Sequence, residues 1–281
     1  MLFFIRLLYL PLFIIVGNGL AIYFVQSGYP THYLFVLLAF FIGLSFVLER
    51  LAPYDRNFNQ SQGDTKRDII HMLVNELLSV MGVMSVPLIA SFIPLSSVWP
   101  AELPLWLQVL LAVLIADVGI TLAHYASHRI NALWRLHAVH HSIKRMYGFN
   151  GLMKHPLHQT IETLAGTAPL LLLGAPQDVL MLLVVAVVLQ LLLQHSNVAY
   201  FTGPLKQILA INEVHRFHHL KTAAEGDVNF GLFTTLTDRL LGTCYYDKDR
   251  SITSEDMGIA IQPNYPREYL SQLVKPFRSY Q

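Results

Sequence analysis

Long apolar stretches alternate with shorter polar ones along the chain, coarsely enough to be read as whole elements. Residues 7 to 28 are almost wholly apolar, with Arg6 in front. No small-x-small cleavage site follows and a second apolar run begins at once, so the stretch reads as an uncleaved membrane helix and not as a signal peptide. Tyr29-Pro30 makes a tight connection, and residues 33 to 48 form the second run. Both approach the roughly 20 residues needed to cross a hydrocarbon core about 30 Å thick. Residues 49 to 68 are mostly polar, and Gly63-Asp64 marks a turn before a helix. Residues 69 to 95 return to apolar character, with His71, Asn75 and Glu76 in the first turns, where a position at the membrane interface is expected. Residues 105 to 123 form a fourth span with Asp117 inside it. Residues 160 to 174 and 179 to 193 are two shorter runs separated by Gly174-Ala-Pro-Gln, a turn signal. They fit a hairpin dipping into or across the membrane. Residues 142 to 158 and 196 to 281 are more polar.

The pattern predicts an all-α protein: a polytopic membrane helix bundle of about four spans plus a membrane hairpin. Transmembrane helices occupy residues 1–123, a histidine-rich catalytic region including the hairpin 160–194 occupies 124–250, and a soluble tail occupies 251–281. Composition agrees. The chain is 54% hydrophobic and only 13% charged, with a mean hydropathy of +0.46, whereas about a quarter of the residues in soluble proteins are charged. A formal net charge of +1 gives no reason to expect a nucleic-acid partner. The single cysteine, Cys244, excludes an internal disulfide and any multi-thiolate metal site or iron–sulfur centre of the chain's own.

The candidate chemistry lies in the histidines. His124 and His128 are four apart, His137, His140 and His141 read His-x-x-His-His, and His215, His218 and His219 repeat that spacing. On a helix, residues at i, i+3 and i+4 share a face, so each set aims two or three imidazoles at one point. His195 follows the last apolar run and makes nine. One tetrahedral or octahedral ion cannot use nine imidazoles, so two ions are the economical reading. Asp117 lies seven residues before His124 and eleven before His128, within about 20° of both around a helix. An ionisable group at that depth is usually functional. It is placed to hold a ligand histidine by its second ring N–H, to bind metal itself, or to pair with Arg129 or Arg135. If Arg6 is cytoplasmic, the chain returns to the cytoplasm at Glu49, His124 and His195. The basic loop residues then lie inside, as the positive-inside rule requires. All three histidine sets land on that same face, and only the isolated His32 falls outside.

These pieces resemble the fatty acid hydroxylase / sterol desaturase superfamily of membrane di-iron enzymes. The resemblance rests on His124-x-x-x-His128, Leu133-Trp134-x-x-His137-x-x-His140-His141-Ser142, His155-Pro156, His195 and His215-x-x-His218-His219. It extends to Asn229-Phe230-Gly231 and Asp238-Arg239-x-x-Gly242-Thr243, and more weakly to Gly63-Asp64-x-x-x-Asp68-x-x-His71. It implies a cytoplasmic, histidine-lined cap holding two iron ions, with O₂ as co-substrate. Electrons would come from a separate reductase, ferredoxin or cytochrome, and a lipid C–H would be hydroxylated or desaturated. The implied metal ligands are His124, His128, His137, His140, His141, His195, His215, His218 and His219, with Asp117, Asn229 and Asp238 as supporting catalytic residues. Where some members carry a further histidine four residues after the one matching His195, this chain has Ala199. That leaves an open position, or one filled by His155, His158 or Asn229. Thr237 stands where the family usually has Trp.

Two rival readings are weighed against this one. A zinc-dependent membrane hydrolase would need a general base beside the metal, as in His-Glu-x-x-His, and no His-Glu pair occurs. A metal transporter would place its histidines at the membrane midplane, whereas here they cluster at the ends of spans and in polar segments.

Overall fold

The computed structural model describes residues 1–85, 88 and 98–278. Helix α1, Leu2–Gln26, contains Pro11 and loosens directly after it into a π-helical stretch, Leu12–Gly17. Proline has no N–H to donate and crowds the carbonyl four residues back, so a slip of the ladder at this point has a local cause. Next come α2 (His32–Leu51), α3 (Thr65–Met84), α4 (Leu105–Arg129) and α5 (Asn131–His141). Helices α6 (Pro156–Leu173) and α7 (Gln177–Gln194) follow, then the short α8 (Asn212–His218), α9 (Leu236–Leu241) and α10 (Tyr269–Val274). Among the described residues no strand forms, and β-pairing is confined to isolated bridges such as Pro53 with Val198.

Among the described residues four helices are long and apolar enough to cross a membrane: α1, α2, α4 and α7. Three of them, α1, α2 and α4, match the spans expected at residues 7–28, 33–48 and 105–123, and α7 lies in the expected hairpin. Helix α3 opens with Thr-Lys-Arg-Asp and is not one of the four, and residues 86, 87 and 89–95 of the expected run 69–95 lie outside the described residues. Helix α7, expected as half of a hairpin, is the centre of the bundle. It is apolar around its whole circumference, as a helix with neighbours on every side must be, and it packs against α1, α2, α3 and α4. Its supposed hairpin partner α6 packs instead along α4. That contact depends on absent side chains, because a Cβ on Gly119 would stand 2.0 Å from the Ala165 carbonyl oxygen.

The polar loops fold over one end of the bundle. Glu49, buried at the end of α2, accepts hydrogen bonds from the backbone N–H of Gly148 (2.7 Å) and of Asn197 (3.1 Å). Arg145 donates two hydrogen bonds to Asp64, at 2.7 and 2.8 Å, and Tyr147 donates to Asp68. His71 and Asn75, expected at the membrane interface, are buried here: His71 Nδ1 and Asn75 Nδ2 both meet the Lys154 carbonyl. Glu76, one turn on, is half-buried. The segment read as a soluble tail, in which Tyr265-Pro266 and Tyr269 were open to packing over the site, packs back on this cap. Gln272 is fully buried with its Oε1 2.9 Å from His71 Nε2, and the Tyr269 ring lies 4.6 Å from the His71 ring.

Candidate metal centre

The last two turns of α4 carry His124 and His128, α5 carries His137, His140 and His141, and His195 caps α7. Helix α8 carries His215 and His218, with His219 as its C-cap. All nine converge, and they sort into two groups whose donor atoms each lie within 4.8 Å of one another. One group is His124, His128, His137, His141 and His218, and the other is His140, His195, His215 and His219. The sorting crosses the sequence spacings. On α5, His137 and His141 face the first group while His140, a turn's fraction away, faces the second.

Most of the contacts inside each group are Nε2 against Nε2. His124 and His137 meet at 3.0 Å, as do His137 and His141, and His128 and His141 meet at 3.2 Å. In the second group His195 lies 3.3 Å from His140 and 3.2 Å from His215 and from His219. The opposite ring nitrogens explain why these Nε2 atoms offer lone pairs. Nδ1 of His124 lies 2.8 Å from the Phe230 carbonyl, that of His218 2.8 Å from Val228, that of His140 3.1 Å from Met153 and that of His195 3.2 Å from Leu191. A carbonyl only accepts, so the hydrogen sits on Nδ1 and the lone pair on Nε2. His128 Nδ1 meets Asp227 at 2.9 Å instead, and Asp227 also binds Arg129.

Burial holds the imidazoles of His137, His140, His141, His215, His218 and His219 well below their ordinary value of 6.5, and neighbouring imidazoles push the same way. The rings are therefore neutral. Lone pairs 3.0 to 3.3 Å apart with too few hydrogens between them repel one another, and a cation at each focus removes that repulsion. The His218 Nε2 atom is buried without a partner in the first group. The donor set is imidazole without thiolate. It fits a divalent first-row metal.

The supporting residues act through the backbone. All four hydrogen bonds to the Asp117 carboxylate come from the loop at 232–234: the backbone N–H of Leu232, Phe233 and Thr234, and the Thr234 hydroxyl. Asp117 thus meets no histidine ring and pairs with neither Arg129 nor Arg135. Asp238 accepts from the N–H of Phe230 and of Gly231, both at 2.8 Å. Asn229, in the left-handed region at φ 54°, donates to the carbonyls of Val214 and Tyr245. The three side chains clamp the 228–234 loop, and that loop presents the Val228 and Phe230 carbonyls to His218 and His124. Thr237 is buried beside Asp238.

Of the residues named for the open position, His155 joins neither group. Its ring binds the Leu157 N–H and meets the Leu273 carbonyl. His158 is closer. Its ring centroid is 4.4 Å from that of His137, its Nε2 is 2.9 Å from the Ser127 hydroxyl, and with His137 and Glu162 it forms a third group of potential ligands. Asp227, the Met153 carbonyl and the Lys154–Glu162 ion pair were missed from sequence. Only Glu162 had left a signal, one helical turn after His158. Two openings lead toward the site. A cleft of about 300 Å³ is walled by Trp134, Lys221, His128, His141 and His218. A crevice of about 60 Å³ runs between α3, α4, α6 and α7 and reaches Lys154 and Glu162.

The geometry has counterparts among known proteins. The family model described as fatty acid hydroxylase matches residues 109–243. The ornithine lipid hydroxylase OlsE of Rhizobium tropici is 34% identical over 244 residues, 82% of this chain and 71% of that protein. The alkylglycerol monooxygenase of Danio rerio is 30% identical over 157 residues, 55% of this chain but only 33% of that protein. No solved structure matches the chain. With its four apolar helices and two histidine groups, the chain belongs to the fatty acid hydroxylase family of lipid-modifying, multi-pass membrane oxidoreductases.

Proposed function

We propose that the two histidine groups each hold one iron ion and that the protein hydroxylates a C–H bond of a membrane lipid, using O₂ and electrons from a separate donor. The supporting observation is the pair of adjacent, buried, thiolate-free imidazole groups with their Nε2 lone pairs aimed inward. Hydroxylation is favoured over desaturation because both curated relatives are named for adding oxygen. The donor would be a reductase, ferredoxin or cytochrome. The cap is read as cytoplasmic from the distribution of basic residues.

When bound, two irons supply the oxidising power that no side chain has, enough to activate O₂ against an unactivated C–H bond. The chain's own residues prepare the place. The carbonyls of Phe230, Val228, Met153 and Leu191 fix four tautomers. Asp227 and Glu162, each also paired with a cation (Arg129 and Lys154), place carboxylate oxygens beside the two groups. Leu191 and Leu232 line the crevice below the cap and keep bulk water from it. In the net reaction one oxygen atom enters the C–H bond. The other leaves as water, with two electrons from the donor and two protons from solvent.

Metal analysis and Mössbauer spectroscopy on protein from iron-supplemented cells test this reading, with labelled O₂ and mass spectrometry of the lipids. About two irons per chain and one labelled oxygen in the product are expected. Zinc that iron cannot replace, with no O₂ uptake in the presence of a reductase, would overturn it.

A further inference from the structure

Two cavities at membrane depth share a wall, and their chemistry differs from end to end. The first is a chamber of about 360 Å³ lined by the first turns of α2, the end of α3 and the early part of α7, with Leu34, Phe35 and Met181 among its walls. Among the described residues Thr31 supplies its one polar side chain. The second is the narrow crevice of about 60 Å³, whose lining shares Val83 and Val184 with that of the chamber. From there the crevice becomes polar toward the histidines, through Ser79, Glu76, Thr163 and Gln159 to the Lys154–Glu162 pair. Glu162 is 97% buried, since only 3% of it is exposed, and its Oε1 has no partner.

The distances suit an extended chain. Eleven residues of helix separate Val184 from His195, about 16 Å of rise. Fifteen separate Leu34 from Glu49, about 22 Å. An elongated molecule with one end at Glu162 would reach into the chamber with the other.

We propose that the substrate lies tail-first in this path, with its hydrocarbon end in the chamber and its polar linkage against Glu162 and Lys154. Hydroxylation then falls on carbons beside the polar end and not at the methyl terminus. The assignment rests on the oxygenase reading above and adds to it a substrate class, a single-chain or acyl lipid whose polar group can donate a hydrogen bond to a carboxylate. The reverse pose is disfavoured at both ends. It would put the polar group among Leu34, Phe35 and Met181, where Thr31 is the one polar side chain among the described residues. It would also lay a methyl group on an ion pair and leave Glu162 Oε1 unsatisfied.

The test uses the full chain in lipid nanodiscs, at rest and without an electron donor, so that seating is read without turnover. Two palmitoyl amide probes carry a diazirine, one next to the amide and one at the methyl terminus. After illumination, the methyl-terminal probe is expected to label the peptides around Leu34, Val80–Met84 and Met181–Val185. The head-proximal probe is expected to label Lys154–Thr163. The opposite pattern, or labelling confined to outward-facing residues such as Phe40 and Leu122, overturns the proposal. Met181→Trp, which fills the chamber, is expected to weaken palmitoyl labelling by about tenfold or more relative to an octanoyl probe. Equal loss for both chain lengths counts against the proposal. A chain that labels as expected but forms no hydroxylated lipid with iron, O₂ and a reductase would overturn the activity and leave the seating in place.

Discussion

At the scale of single residues, the histidines differ less in burial than in what their outer nitrogen touches. His140 and His218 lean on the carbonyls of Met153 and Val228 and belong to different groups. Alanine at either is expected to remove metal and activity together, and full metal content in both variants would contradict the ligand assignment. Asp227→Ala removes the acceptor on His128 Nδ1 without touching a lone pair that faces the cluster. Loss of such an outer partner typically costs about 10- to 100-fold in metal affinity or activity. Competition with a chelator, reading free metal against time, measures that directly. Asp117 shows how a correct residue can be given the wrong contact. Its helical phase relative to His124 and His128 was legible, and so was the expectation that a buried carboxylate has work to do. Its partners were not, because the 232–234 loop lies more than a hundred residues downstream and nothing local to Asp117 points to it.

At the scale of elements, two contacts decide the packing. The crossing of α4 and α6 needs Gly119 bare, and Gly119→Ala would force the helices apart. Overpacking of this kind costs about 1–3 kcal/mol, to be read as a lower unfolding midpoint in detergent. Gly43→Ala, with nothing within 4 Å of the added methyl, is the control and should be neutral or slightly stabilising. The second contact is Arg145 with Asp64, which ties the 142–158 segment to the start of α3. Burial alone would raise the Asp64 carboxyl, but its two hydrogen bonds to Arg145 outweigh it and hold the group below its ordinary value of 3.8. The sign follows: a depressed carboxyl contributes stability above 3.8 and loses it as pH falls through the still lower folded value. Thermal unfolding across that acid range should show the loss in the parent, and Asp64→Asn should flatten it. Arg145→Ala strands a buried carboxylate and is expected to cost about 3–5 kcal/mol near neutral pH.

At the scale of the molecule, the bundle and its cap make one device: apolar helices in the membrane and a polar lid that brings distant loops to one end. The single cysteine gives a clean test of which way that end faces. Cys244 is half-buried in the cap. A membrane-impermeant maleimide is expected to leave it unlabelled in sealed, right-side-out membranes and to label it once the cytoplasmic face is opened. Labelling of right-side-out membranes would reverse the proposed topology.

Helical periodicity and hydropathy were enough to determine a helical membrane protein, the ends at which its histidines gather, and the histidine spacings themselves. These are properties of a local chain, since 3.6 residues per turn sets which side chains share a face and about 20 apolar residues set a span. Tertiary structure alone decided that α7, read from sequence as half of a hairpin, is the centre of the bundle, because a helix surrounded by others and one lying in lipid are equally apolar. It also decided that His140 parts from His137 and His141, that Asp227 and the Met153 carbonyl steady the rings, and that Glu162, paired to Lys154 through one carboxylate oxygen, keeps the other buried without a partner. Each of those facts joins residues far apart in sequence. The energy that joins them lies in hydrogen bonds and close packing between elements, which no single stretch of the chain records.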